Sequence, residues 1–228
     1  MSKPKALSKG VERRIQGAAE LCALLQEHAA KIVAAFNNLF SPFVGPGGAF
    51  DLRPLAPLLV RAIESSLARL IEAEETHRAE LARLDAARSR RDRAIAEVRA
   101  QIGGFRDVGL RGRTPVVPPG ETPHQADALL AVARNVARRL KHPRLRLAPG
   151  IAAGIKLYPR LRSDFDGAVA ELKTALVEVK QLDGRTCATR LARDEVMARF
   201  DFLYSTSRQL ARSLGALLES QPPGKGGK

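Results

Sequence analysis

The chain has 228 residues, with 38 Lys and Arg against 24 Asp and Glu, a net charge of +14. Two cysteines, Cys22 and Cys187, exclude a disulfide framework and are too few for a structural zinc site. A hydrophobic fraction of 45% allows a core, but no run of about 18 apolar residues exists, so no membrane span is expected.

Ala and Leu dominate, and both favour helix. Runs of alternating Val, Ile and Thr are missing, so no strand is predicted. The expected fold is all-α: an elongated antiparallel bundle of four to five helices with coiled-coil-like heptad packing, forming one domain over residues 9–219.

Residues 1–8 read as a basic arm. Charged residues there, with no apolar segment behind them, argue against a signal peptide and make a cytoplasmic location the expectation. Ser8 is placed to cap the first helix. Val11, Ile15, Ala18, Cys22, Leu25, Ala29, Ile32, Phe36 and Leu39 then follow the 4-3 spacing of heptad a and d positions. One helix is predicted to run to about Phe40. Residues 41–54 are a Gly- and Pro-rich connector.

The second helix is predicted from about Leu55 to Ile102, stopped by Gly103-Gly104. Its ends are apolar, but its register carries Glu74, His77, Arg88 and Arg91 through the middle. That requires a kink, a projecting segment, or a partner for the polar groups. Residues 103–121 form a second connector whose Pro-rich core favours an extended path. Thr122, Pro123 and Gln125 match a capping box for a third helix, which carries Ala126, Leu129, Ala133, Val136 and Leu140 to His142-Pro143.

Residues 143–162 read as irregular or briefly helical. A helix start is predicted at Ser163-Asp164, continued by Phe165, Val169, Leu172, Leu176 and Val179, with a break at Asp183-Gly184. The last helix runs to about Glu219 on Val196, Phe200, Leu203, Ser207, Leu210, Leu214 and Leu217. Residues 220–228 read as a disordered tail. Both cysteines fall in helical patterns that predict buried, reduced thiols.

Two groups of residues carry candidate chemistry. Between 128 and 163 there are nine basic residues and no acidic one: Arg134, Arg138, Arg139, Lys141, Arg144, Arg146, Lys156, Arg160 and Arg162. Such a window suits an anionic macromolecule, either nucleic-acid backbone or an acidic protein surface. With Tyr158 as its one aromatic residue, it lacks a base-stacking platform. Arg134, Arg138 and Lys141 share one helix face. The alternative for the window is a solvated face beside acidic residues of neighbouring helices.

The second group is Glu74 and His77. Glu-x-x-His is half of the paired signature of ferritin-like di-metal proteins. No other histidine has a Glu three residues before it, so a structural or solvated pair is expected and no metal or cofactor. The leading expectation is a non-enzymatic binding or scaffold protein with no membrane contact and a capacity for homo-oligomerisation. The alternatives are a metal enzyme centred on Glu74 and His77, and a structural coiled-coil oligomer that uses the polar middle of the second helix.

Overall fold

A computed structural model of the chain describes residues 7–40, 54–107, 116–117, 120–141 and 157–219. The expected connector at 41–53, the tail at 220–228, most of the Pro-rich connector and residues 142–156 lie outside the described residues. Those described form five α-helices packed against one another, and no strand occurs among them. They are α1 (Lys9–Glu27), α2 (Ala29–Phe40), α3 (Leu55–Asp107), α4 (Ala126–Leu140) and α5 (Leu157–Glu219).

The first expected helix is divided at His28, whose backbone (φ −101°, ψ 11°) departs from helical geometry. The interruption is local, because the amide of Ile32 still donates to the His28 carbonyl at 2.9 Å. Two expected breaks are absent instead. Gly103 and Gly104 lie inside α3 and do not stop it. Ile102 before them is fully buried, and Phe105 after them packs edge-on against Phe165 with ring centroids 5.2 Å apart. That packing offsets the glycine penalty of about 1 kcal/mol per residue. Asp183-Gly184 is likewise continuous helix within α5, held by buried Leu182 and Thr186 on either side.

Helix α5 also begins earlier than Ser163, at Leu157. Pro159 is compatible with this start because a first-turn residue has no intrahelical N–H bond to lose. The expected capping box at Thr122 does not form. Gln125 is the N-cap of α4, with no side-chain cap. Arg99 Nη2 instead donates to the carbonyls of Pro123 and His124, each at 3.0 Å, and binds this stretch in the non-helical backbone that precedes the cap.

The chain divides into two compact units, 1–79 with 188–228 and 80–187. In the first unit Val11, Ala18, Leu21, Cys22, Leu25 and Ile32 bury an α1–α2 seam against Val60, Ile63 and Leu70 of α3 and Phe200 of α5. The Arg14 guanidinium makes a two-pronged ion pair with Asp201, at 2.7 and 2.6 Å. Gly17 lies against the Tyr204 ring, where an added Cβ would fall 2.9 Å from the phenolic oxygen. In the second unit Val98 and Ile102 of α3, Leu129, Ala133, Val136 and Leu140 of α4, and Phe165 and Leu172 of α5 form the core. Val116 and Val117 are also buried in it. Here α3 and α5 run antiparallel: Arg88 meets Asp183, Arg90 meets Glu178 and Glu171, and Phe105 meets Phe165.

Two register details differ from expectation. Ala87 and Ala94 are buried on α3, whereas Arg88 is exposed. Small side chains let α5 approach closely there, and the guanidinium stays in water where Asp85 and Asp183 pair it. Cys22 is buried as expected, but Cys187 is exposed. Burial, and to a smaller extent the nearby Glu64 carboxylate, push the Cys22 thiol up, so it stays protonated and inert.

Candidate anion interface

The described part of the basic window lies in the second unit, on α4 and the first turns of α5. Arg134 and Arg138, one helical turn apart, are exposed on the face of α4 opposite Leu129, Ala133, Val136 and Leu140. Neither makes an ion pair among the described residues. Arg139 is half-buried and partnered within the fold. Lys141 Nζ lies 3.3 Å from Asp166 Oδ2, and Arg162 Nε lies 3.9 Å from the same oxygen. Arg160 is exposed. Arg144, Arg146 and Lys156 lie outside the described residues.

One carboxylate therefore serves two cations, while Arg134, Arg138 and Arg160 have no ion pair among the described residues. The expected alternative of an acidic neighbour from another helix applies to Lys141, whose partner Asp166 is on α5, whereas Arg162 meets the same carboxylate within its own helix. Asp166 was missed as part of this site, although its place four residues after Arg162 in a helix was a local signal. An open recess of about 510 Å³ lies beside Arg91, Arg99 and His124 of the same unit. Its arginines are already engaged, Arg91 by Asp92 and Arg99 by backbone carbonyls.

The second candidate group is interior. Glu74 is 3% exposed and His77 5%, both on the inner face of α3 in the first unit. The polar middle of the long helix thus finds partners both on α5 and on α3 itself. Glu74 accepts from Arg78 Nε at 2.9 Å, and Arg193 Nη1 reaches its other oxygen at 3.5 Å. Ser8, the N-cap of α1 without a side-chain cap, also favours the charged form of Glu74. His77 Nδ1 lies 3.1 Å from Thr189 Oγ1. Arg193 carries no sequence signal of this role, because 119 residues separate it from Glu74.

The carboxylate is thus surrounded by donors and cations. No group of three His, Cys, Asp or Glu side chains able to hold a metal occurs among the described residues. Burial alone would raise the Glu74 carboxyl, but the hydrogen bonds from Ser8 and Arg78 and the charge of Arg193 outweigh it and hold it below the ordinary range. Burial, reinforced by Arg193 and Arg190, lowers His77; Glu74 and Asp194 oppose this without reversing it. The folded state therefore keeps His77 neutral where the unfolded chain protonates it, below the ordinary histidine value of about 6.5.

The consequence for stability has one sign. Stability from His77 is complete above about pH 6.5 and is lost as pH falls below it, with a slope of at most about 1.4 kcal/mol per unit for one proton. Urea midpoints measured from pH 7.5 to 5.5 will fall, and the His77→Gln variant will flatten that slope. An unchanged slope in the variant would remove His77 as the origin.

Comparison with protein-family models, with curated proteins and with solved structures returned no match. Among the described residues no helix is long and apolar enough to cross a membrane.

Proposed function

We propose that the protein is a non-enzymatic binding or scaffold protein of the cytoplasm. In this reading the basic segment from Arg134 to Arg162 engages the phosphate backbone of a nucleic acid. The observation that supports it most is the outer face of α4, where Arg134 and Arg138 stand exposed and unpaired among the described residues. Arginine suits this task because its planar fork donates two hydrogen bonds to one phosphate. Contacts of this kind position a backbone and read little sequence.

Duplex DNA or RNA will bind with little sequence preference. Affinity will fall roughly 10³-fold between 50 and 200 mM salt if about six phosphates are neutralised. Replacing Arg134, Arg138 and Arg160 by Glu will abolish binding and leave helicity unchanged. The same reversal at Arg13, Arg61 and Arg69, also exposed, will have a much smaller effect. Equal losses in both triple variants would reduce the attraction to bulk net charge. No binding by wild type at low salt would overturn the phosphate reading and leave an acidic protein surface as the partner to test.

A further inference from the structure

The inner heptad of α5 is matched by a second one on its outer side. Within the first unit, Val196, Phe200, Leu203, Ser207 and Leu210 face the core, with Phe200 and Ser207 fully inside. About 140° around the same helix, at 100° per residue, lie Leu191, Glu195, Ala198, Phe202, Ser205 and Gln209, spaced 4-3-4-3-4. All six are exposed. Phe202 is 74% and Leu191 60% accessible, the two most exposed large apolar side chains among the described residues. The stripe contains one charge, Glu195, which pairs with Arg199 on its own flank.

That single charge selects the occupant and its direction. In a parallel pair of α5 helices Glu195 would face its own copy, carboxylate against carboxylate. In an antiparallel pair, positions on the same flank face each other. Leu191 of one copy then meets Phe202 of the other, Glu195 meets Ala198, and Glu195 comes beside the Arg199 guanidinium of the opposite chain. The large side chains pack on each other and the charges complement, twice, by symmetry. We infer that the outer stripe of α5 is the interface of a two-fold homodimer in which α5 pairs antiparallel with a second copy of itself, centred between Glu195 and Ala198.

The proposal is independent of the anion reading, which concerns the other unit and other residues. Sedimentation equilibrium of the full chain will show a concentration-dependent dimer. Phe202→Glu and Leu191→Asp will each weaken it by at least about 30-fold, the weight of a central hot spot. Their helicity will match wild type, and so will their melting temperature at concentrations where wild type is monomeric, because in the single chain both side chains are in water.

Cross-linking with a short bis-maleimide reports direction. Ala198→Cys in a Cys187→Ser background will be captured as a covalent dimer. The wild-type Cys187 thiols will not, since in this pairing they stand roughly 28 Å apart along the axis at ~1.5 Å per residue. A monomer at all concentrations overturns the inference, as does a dimer unaffected by Phe202→Glu and Leu191→Asp. Capture through Cys187 as efficient as through position 198 overturns the antiparallel pairing.

Discussion

Glu74→Ala will destabilise the protein by about 3–5 kcal/mol, the usual result of removing one partner from a buried ionic cluster. The carboxylate is almost wholly enclosed, and its loss takes from the part-buried Arg78 guanidinium its carboxylate and leaves Arg193 with Asp194 alone. On a total stability of roughly 5–15 kcal/mol this is a large fraction. The diagnostic control is the pair Glu74→Leu with Arg78→Met, which leaves Arg193 on Asp194. Removing both charges and keeping the volume relieves the imbalance, so the double variant will recover most of the loss. A urea series on the three proteins measures this. A double variant as unstable as Glu74→Ala would mean that the ion pair itself, and not an uncompensated charge, supplies the stability.

Phe165→Ala will cost a similar amount, about 3–5 kcal/mol, through the second unit. The ring is fully buried, meets Phe105 edge-on and joins the α3, α4 and α5 components of that core. Its removal leaves a cavity that three helices border and none can fill without shifting. Phe165→Leu will cost distinctly less, because it restores most of the volume. Equal losses for both substitutions in chemical denaturation would show that the edge-on ring contact, and not the volume, matters there.

The fold class and the inner seams were legible because they rest on spacing alone. Val11, Ala18, Cys22, Leu25 and Ile32 are buried as their 4-3 pattern required, and so are Leu129, Ala133, Val136 and Leu140. The breaks were less legible, because Gly103-Gly104 and Asp183-Gly184 are local stop signals that tertiary packing overrides. What decides them is Phe105 meeting Phe165, and the burial of Leu182 and Thr186. The capping box failed for the same kind of reason. Its competitor, the Arg99 guanidinium, comes from a different helix.

Of the candidate sites, the basic window was visible as a charge count, but which of its members are free was not. That depended on Asp166 facing Lys141 and Arg162. Glu74 and His77 stood out as polar residues in an apolar register. Their enclosure by Arg193 and Thr189 is a long-range pairing that spacing along one helix does not encode. The outer stripe of α5 was overlooked because one heptad had already been assigned to that helix, and a helix wide enough for two seams reads as amphipathic in neither.

The division of the chain also imposes an order in time. Residues 80–187 are contiguous, so every helix of the second unit is available to its neighbours while synthesis is still under way. The first unit is assembled from the chain's two ends. Helix α1 is made well before its partners on α5: Asp201, which Arg14 grips, is added 187 residues after it, and Tyr204, which covers Gly17, comes later still. Until then the apolar face of α1 can be covered only by α3. Closure of the first unit must wait for the second half of α5 to emerge, so of the two units the one begun earlier is the one completed later.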